Sequence, residues 1–338
     1  MSLVRAVDRL DRFARLHFVG FTCVWPILGL VSTGAPLSVS IGLSVLAVGV
    51  CFHLFGFLLN DVVDLPIDRT QPRRAADPLV RGTVQTSTVL AVAMMQIPLA
   101  FLVTWRSGAS WVAYVAIAVA FAGMAVYDLA GKRCVVPMLT DLVLGLSGSA
   151  LVVFGAAMSG TVSTASVLVG VYVALYFLLF NGIHGGMRDL QNDVACGART
   201  TGLFLGMRIT DGRIKVSTRA MVFCWALQIA LIVVVGLLAV SVGYDGVTTS
   251  VVLLMSAVVG IGNGSLMHIV LSPDHLRWEE AYRLHLATLV LAPVLALAPT
   301  MGALLSICVI VLFLLPMAMI EHVPHIVSWL LPRHVSGA

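Results

Sequence analysis

The chain has 338 residues, of which 59% are hydrophobic and only 11% charged, and its mean hydropathy is +1.02. A soluble domain carries about 25% charged residues, so this composition excludes a soluble globular protein and indicates one whose solvent is a lipid bilayer. The net charge of +4 is uninformative as a total, and no nucleic-acid partner is expected. The six cysteines form no CxxC pair and lie mostly in apolar runs, which favours buried thiols over a disulfide framework or a metal site.

Apolar runs long enough to cross a bilayer recur along the whole chain and predict an all-α, polytopic helical bundle. Each run has about 17 to 25 residues. Pro293 and Pro299 interrupt the last two runs. The ten predicted spans cover residues 17–33, 39–60, 86–105, 110–127, 136–157, 164–185, 218–240, 247–270, 281–298 and 301–320.

Nearly all the basic residues lie on one side of the predicted membrane spans. Apart from Arg106 and Arg333, every Lys and Arg lies before the first span or in or beside the loops that follow the second, fourth, sixth and eighth. The positive-inside rule therefore predicts that the N-terminus and these longer loops face the cytoplasm, in a multi-pass cell (inner) membrane. The loops on the other side have only a few residues, so a polar site has room on the cytoplasmic side alone.

Two interpretations fit the segment before the first span. Arg5, Arg9, Arg12 and Arg15 fall largely on one side of a helix drawn over residues 2–16, with apolar residues opposite. Such an amphipathic helix would lie on the inner leaflet. A solvated basic leader would show the same pattern.

The first of two acidic clusters follows the second span. Asp61, Asp64 and Asp68 share one face of a continued helix with Asn60 beside them, and Pro66 predicts a kink or a restart in the last turn. Three carboxylates on one face repel each other without a cation. Clusters of hard oxygen atoms of this kind suit Mg²⁺.

The second cluster follows the sixth span. Asp189 and Asp193 lie one helical turn apart, and Gly185, Gly186 and Gly197 around them allow a bend or a close backbone approach. Two clusters that face each other would hold two or three Mg²⁺ ions with an anionic ligand between them. Basic residues that could neutralise a diphosphate lie around both clusters: Arg69, Arg73, Arg74, Arg81, Lys132, Arg133, Arg188 and Arg199.

Other polar residues have a structural explanation as plausible as a functional one. Asp141 lies inside the fifth span and Asp128 at the end of the fourth, where an acid is a functional candidate by default. Either carboxyl could equally be a satisfied structural group. His53 and His184 lie near the two clusters, and each is as easily explained as a hydrogen-bonded core residue.

The two clusters, Asn60-Asp61-x-x-Asp64-x-x-x-Asp68 and Asp189-x-x-x-Asp193, together resemble the two signature motifs of the UbiA superfamily of intramembrane prenyltransferases. The resemblance covers roughly residues 15–298. Further residues that resemble family motifs, in the family's order, are Arg73 and Arg74 with Pro78-Leu79-x-Arg81-Gly82, Tyr127 with Lys132, and Gly197, Thr200, Thr201 and Gly206.

This resemblance implies a nine-helix bundle around a central cavity that the motif loops cap. It implies that Asp61, Asp64 and Asp68 bind one side of a Mg²⁺–diphosphate and that Asp189 and Asp193 bind the other, as the catalytic and metal-binding set. The residues expected to bind substrate are Asn60, Arg73, Arg74, Arg81, Tyr127, Lys132, Arg188, Asn181 and His184.

Two positions depart from the family's pattern. Asp77 precedes the Pro-Leu pair where many members carry Arg, and Gly186 stands three residues before Asp189 where many carry Asp. The first departure removes an expected phosphate contact, and the second reduces the metal ligands on that side. Three segments follow: residues 1–16 form an amphipathic N-terminal segment, residues 17–298 the prenyltransferase domain, and residues 299–338 an extension with a tenth transmembrane helix.

The resemblance implies a Mg²⁺-dependent transfer of an isoprenyl group from an isoprenyl diphosphate to a small acceptor, commonly aromatic, through an allylic carbocation. Aromatic rings can stabilise such a cation. A terpene cyclase on the same scaffold would use every one of these motifs. A lipid transporter would use the carboxylates for ion coupling, but their position at one face argues against it. Candidates for the cavity lining are Phe57, Phe121, Tyr127, Phe177 and Trp225.

Overall fold

A computed structural model of the chain describes residues 11–273 and 277–330. The predictions made for residues 1–10 and for Arg333 lie outside these residues. The helices are α1 (Val19–Val31), α2 (Val39–Val63), α3 (Leu65–Asp68), α4 (Thr86–Arg106), α5 (Trp111–Ala130), α6 (Pro137–Ala157), α7 (Thr164–Leu179), α8 (Gly186–Ala195), α9 (Thr201–Phe204), α10 (Thr218–Ser241), α11 (Gly246–Val270) and α12 (Trp278–Leu330).

Shorter elements connect these helices. A 3₁₀ turn (Leu16–Phe18) leads into α1, and a second (Pro72–Arg74) follows α3. A π-helical turn (Phe180–Gly185) joins α7 to α8 without a break in the helical run. An antiparallel hairpin of β1 (Arg208–Thr210) and β2 (Arg213–Lys215), which the sequence did not predict, precedes α10.

The helices form a membrane bundle, as the composition predicted. Within the described part of the chain, eight helical segments are long and apolar enough to cross a membrane, and Leu16–Val31 is a shorter apolar helix. The predicted spans from 39–60 to 247–270 each correspond to one of these segments. The protein is therefore a multi-pass membrane protein with an all-α bundle.

The C-terminal part consists of two helices, as the predicted spans 281–298 and 301–320 require, but the break between them is not at a proline. The chain stays helical from Trp278 through Pro293 and Pro299, and the break falls at Gly302, whose φ of 73° and ψ of 167° are not helical. Proline is tolerated inside membrane helices because neighbouring groups satisfy the freed carbonyls. Glycine reaches positive φ without the steric cost that other residues meet, so the break lies at Gly302.

Helix α1 occupies the centre of the bundle and packs on α2, α6, α7 and α12. Its contact with α6 is at backbone distance. A Cβ atom on Gly29 would overlap the Val152 carbonyl, and one on Gly155 would overlap the Pro26 carbonyl. Small residues allow membrane helices to approach closely, and dispersion then holds them. The α1–α6 crossing therefore depends on these two glycines.

Serine side chains tie the helices together at the end of the bundle that carries the short loops. The Ser32 hydroxyl donates to Ser166 Oγ at 2.9 Å, and the Ser163 hydroxyl donates to the Ser32 carbonyl at 3.0 Å. Ser163 also caps α7 by accepting from the Ser166 backbone N–H at 3.1 Å. This end is thus closed by hydrogen bonds, and the opposite end is left for a polar site.

Gly155→Ala should lower the thermal unfolding midpoint in detergent, because the new methyl group overlaps the Pro26 carbonyl. Overpacking of this kind costs about 1–3 kcal/mol. The matched control is Gly42→Ala in α2, where a Cβ atom meets nothing within 4 Å. That change should be neutral or stabilise by about 0.5–1 kcal/mol. Equal midpoints for the two variants would contradict the assigned role of Gly155.

Candidate active site

The end of the bundle that carries the long loops encloses a polar cavity of about 500 Å³. Its walls come from the segment before α1, from α2 and α3, from the loop between α5 and α6, and from the π-turn and α8. The structure therefore brings Asp64 and Asp68 of the first cluster together with both aspartates of the second, whereas Asp61 is outside the lining and pairs with Arg15 and Arg74. The predicted site residues in its lining are Asn60, Asp64, Asp68, Arg74, Tyr127, Lys132, Asn181, Arg188, Asp189 and Asp193.

The first cluster has the restarted helix that Pro66 predicts. Helix α2 ends before Asp64, and α3 begins directly after it with Pro66 in its first turn. Backbone hydrogen bonds continue across the junction, from Asp64 N–H to the Asn60 carbonyl at 2.8 Å and from Asp68 N–H to the Asp64 carbonyl at 2.9 Å. The helical spacing is preserved, so the carboxylates stay on one side.

Arg74 neutralises the first cluster. Its guanidinium lies 2.6 Å from Asp61, 2.6 Å from Asp68 and 2.8 Å from Asp77. Burial lowers the pKa of Arg74, but the carboxylates of Asp61 and Asp68 outweigh this and hold its pKa above the ordinary value. Burial raises the pKa of Asp68 and of Asp77, and Arg74 opposes both shifts. Asp77 thus adds a third carboxylate where the resemblance led us to expect a cation.

The segment before α1 belongs to the site, which the sequence did not indicate. Arg15 forms an ion pair with Asp61 and lies over the Phe57 ring, with its guanidinium carbon 5.1 Å from the ring centroid. The Nε2 atom of His53 lies 3.0 Å from the Ala14 carbonyl and ties this segment to α2. Arg15 has a left-handed backbone (φ 46°), which turns the chain into the 3₁₀ turn. In sequence, the segment before α1 has the charge pattern of a solvated basic leader. No sequence signal therefore distinguished a leader from a segment that contributes to the site.

Lys132 joins the two clusters. Its ammonium lies 3.1 Å from Asp64 Oδ2 and 3.8 Å from Asp193 Oδ1. Burial lowers the pKa of Lys132, but the carboxylates of Asp64 and Asp193 outweigh burial and hold its pKa above the ordinary value. A single cation therefore lies between carboxylates that are 129 positions apart by number.

The second cluster lies on the short helix that the π-turn leads into. Arg188 lies 3.0 Å from the neighbouring Asp189, and both side chains are partly exposed. Asp193 is buried, and its Oδ1 atom has no hydrogen-bond partner among the described residues. Thr70 beyond α3 donates a hydrogen bond to Asn192 at 3.1 Å, which links the two motif segments a second time.

Asn181 in the π-turn is held by polar neighbours. Its amide donates to Tyr127 Oη at 2.8 Å and to Asp141 Oδ1 at 2.6 Å. The Thr201 hydroxyl donates to the other oxygen of Asp141. A Cβ atom on Gly182 would lie 2.7 Å from Asp141, so a glycine is required there. Asp141 is therefore a satisfied group that fixes the π-turn.

An apolar cavity of about 140 Å³ lies next to the polar one. The two share Arg15, Phe18, Asn60, Tyr127 and Asn181 in their linings. Of the aromatic residues predicted to line such a cavity, Phe57, Tyr127 and Phe177 do so. Phe121 instead packs on Phe52 and Phe55, and Trp225 lies against Gly264 on α11.

Two predicted substrate-binding residues lie away from the cavities. Arg81 is exposed in the loop before α4. His184 is fully buried, and its ring nitrogens lie 3.0 Å from the Leu179 carbonyl and 2.9 Å from Nδ1 of His285. His184 therefore stabilises the π-turn from outside the two cavities. The side chain of Arg73 lies outside the described residues.

Among the residues that the structure describes, no three His, Cys, Asp or Glu side chains converge closely enough to hold a metal ion unaided. Arg15, Arg74 and Lys132 instead compensate the carboxylates of the first cluster. The site thus combines carboxylate oxygens with cations around one polar cavity.

The sequence model of the UbiA prenyltransferase family matches residues 19–287. The chain belongs to the UbiA prenyltransferase family. No curated protein matches the chain in sequence.

Solved UbiA homologues have the same fold. An apo homologue from Aeropyrum pernix K1 is 21% identical with a TM-score of 0.65, over 82% of this chain and 96% of that one. A homologue from Archaeoglobus fulgidus bound to GPP and Mg²⁺ is 13% identical with a TM-score of 0.59, over 84% and 99%. A digeranylgeranylglyceryl phosphate synthase is 16% identical with a TM-score of 0.62, over 90% and 99%.

Lys132→Gln should destabilise this UbiA protein, because Asp64 and Asp193 would then face each other without their shared cation. Since Lys132 is partly exposed, the expected loss is about 1–2 kcal/mol, read as a lower thermal midpoint at pH 7.5. The loss should shrink as the pH falls, because a protonated carboxyl group neither repels its neighbour nor needs the ammonium. Arg133→Gln on the same loop, at an exposed position, is the control; a midpoint as low as that of the Lys132 variant would contradict a specific bridge.

Proposed function

We propose that this UbiA-family protein transfers an isoprenyl group from an isoprenyl diphosphate to a small acceptor, commonly aromatic, with Mg²⁺ as cofactor. The observation that carries the proposal is the Lys132 bridge between Asp64 and Asp193. It places two carboxylate clusters and their cations around one polar cavity beside an apolar one. The Archaeoglobus fulgidus homologue, whose structure holds GPP and Mg²⁺, supports the same ligands here.

The donor set fits Mg²⁺. This ion typically takes one or two carboxylates and completes its shell with water and substrate phosphates, so a three-carboxylate cage is not required. Asp193 offers a carboxylate oxygen without a hydrogen-bond partner among the described residues. The residues that would hold Mg²⁺ are Asp61, Asp64, Asp68, Asp189 and Asp193. When bound, the ion supplies Lewis-acid stabilisation of the departing diphosphate.

The basic side chains hold the leaving group. Arg15, Arg74, Lys132 and Arg188 line the polar cavity and can donate charge-assisted hydrogen bonds to phosphate oxygens. At present each of these cations binds a carboxylate. A diphosphate would therefore compete for cations that are already positioned, and this preorganisation stabilises charge as it develops.

The bond that breaks would lie where the two cavities meet. The carbon–oxygen bond breaks, its electron pair leaves with the diphosphate, and an allylic carbocation remains. The rings of Phe18 and Tyr127 line both cavities and can stabilise that cation. The acceptor supplies the electron pair of the new bond and loses a proton. The apolar lining excludes water, which would otherwise capture the cation.

We also propose that the polar cavity faces the cytoplasm. The cavity lies at the end of the bundle with the long loops, and those loops carry nearly all the Lys and Arg residues. The positive-inside rule places such loops in the cytoplasm. The site would then draw a soluble diphosphate head group from that side.

Asp64→Ala and Asp189→Ala should each lower turnover at least 100-fold, because each removes a carboxylate that faces the diphosphate. Turnover is measured as diphosphate release by the purified protein in detergent, from geranyl diphosphate with Mg²⁺ and an aromatic acceptor that the wild type prenylates. Asp211→Asn, in the exposed turn of the β1–β2 hairpin, removes a charge from the same side and should retain full turnover. Retained activity in either alanine variant would disprove the metal-site assignment.

Geranyl, farnesyl and geranylgeranyl diphosphates should be consumed only with Mg²⁺, and chelation of the metal by EDTA should stop turnover. Mass spectrometry of products with a panel of aromatic acceptors should show prenyl adducts. Cyclic products without any acceptor would instead show a terpene cyclase on this scaffold. No diphosphate consumption under any condition would refute both activities.

A further inference from the structure

Two carboxylic acids lie within membrane-spanning helices near the site, and only one is satisfied. Asp141 accepts hydrogen bonds from Asn181 and Thr201. Asp128, in the last turn of α5, is 5% exposed, and neither of its carboxyl oxygens has a hydrogen-bond partner among the described residues. The Asn60 amide interacts with this carboxyl group, but not in hydrogen-bond geometry, and its hydrogen bond goes to Asp64 Oδ2 at 3.4 Å. The sequence did not decide between a structural and a functional role for either acid. The hydrogen bonds in the structure distinguish the two.

An unsatisfied buried carboxyl group is expensive. Burial without hydrogen-bond partners costs several kcal/mol when the carboxyl group is charged. Burial of a neutral carboxyl group also costs free energy, but less. An apolar side chain at position 128 would avoid that penalty. Acids inside membrane helices are therefore functional candidates, and the structure shows which space this one faces, because Asp128 lines the apolar cavity with Asn60, Tyr127 and Met124.

Two other groups in that cavity also lack partners. Nε1 of Trp25 and Oη of Tyr176 are buried, and neither makes a hydrogen bond with the residues described. Both side chains line the apolar cavity, with their rings 5.1 Å apart. A hydrocarbon tail could not satisfy these atoms or the carboxyl group of Asp128. The cavity therefore suits an occupant that is flat and mostly apolar but carries oxygen atoms.

We infer that Asp128 anchors the prenyl acceptor in the apolar cavity by a hydrogen bond to a hydroxyl group on the acceptor's aromatic ring. This inference rests on the proposed function and adds the residue that selects the acceptor. A hydroxyl group both donates and accepts, so it satisfies a carboxyl group in either protonation state. A carbonyl or an ether oxygen can only accept.

The position also suits the reaction. Asn60 and Tyr127 line both cavities, so a ring held beside Asp128 lies next to the place where the prenyl cation forms. Asp128 itself lines only the apolar cavity, where Arg15 is the one cation shared with the polar cavity; Arg74, Lys132 and Arg188 line the polar cavity alone. Asp128 is thus a specificity-determining residue on the acceptor's side of the site.

Thermal stability separates this role from a structural one. Asp128→Leu removes a carboxyl group that makes no hydrogen bond by distance and angle, so its thermal midpoint should equal or exceed that of the wild type. The midpoint is measured by loss of monodisperse protein in size-exclusion chromatography. Asp141→Leu breaks two hydrogen bonds and should lower the midpoint clearly. A marked loss of stability or failure to fold in Asp128→Leu would overturn the inference, because it would reveal a structural partner.

Ligand binding tests the hydroxyl group directly. The probes are 1-naphthol and 1-methoxynaphthalene, and the readout is the shift of the same midpoint with ligand concentration. Wild-type protein should bind 1-naphthol at least about tenfold more tightly than the ether, as a hydrogen bond to a carboxyl group implies. Asp128→Leu should abolish that preference, Asp128→Asn should keep part of it, and Asp211→Asn should keep all of it. Equal affinity for both probes, or no binding of either, would overturn the inference.

A separate arm tests the proposed function. Geranyl thiolodiphosphate with Mg²⁺, which does not turn over readily, should raise the midpoint of the wild type and of Asp211→Asn. If this donor analogue has no effect while 1-naphthol shows its Asp128-dependent preference, the donor proposal fails and the hydroxyl site stands. If the analogue stabilises the protein but the preference is absent, the Asp128 inference fails and the donor proposal stands.

Discussion

The site depends on one electrostatic constraint: the aspartates of the two motif segments are gathered at one end of an apolar bundle, and they need cations beside them. Lys132 meets this need for Asp64 and Asp193, and Arg74 meets it for Asp61, Asp68 and Asp77. Buried charges without partners are costly, so these pairs fix where the loops lie. The backbone bond from Arg199 N–H to the Lys132 carbonyl, 3.0 Å long, adds a further tie at the same place.

Much of this arrangement follows from spacing. The positions of the aspartates along α2–α3 and along α8 predict shared faces, because helical periodicity continues across Pro66. The charge bias of the loops predicts on which end they meet. The break in the last helix could not be placed, because the prolines mark the usual interruption while the backbone changes direction at Gly302. The residues around Gly302 do not reveal that its φ is positive, so only the structure shows the break there.

Other features depended on long-range contacts. Arg15 looks like any basic residue before a first span, and only its ion pair with Asp61 places it in the site. His184 precedes the second motif by a few positions, yet it points into the packing of α12 toward His285. Asp128 and Asp141 were equivalent in sequence, and the difference lies in neighbours from distant segments, Asn181 and Thr201. Sequence thus identified the segments that meet at the polar cavity but not the partner of each group.

The close crossing of α1 and α6 at Gly29 and Gly155 has a consequence for how this scaffold can diversify. Trp25 and Leu151, which line the apolar cavity, lie within one turn of that crossing. Because the two backbones are already in contact there, a movement of one helix along the other cannot deepen the apolar cavity. Deeper or shallower versions of the cavity must therefore arise by exchanging side chains such as Trp25, one substitution at a time. Descendants of this chain would change substrate size in discrete steps.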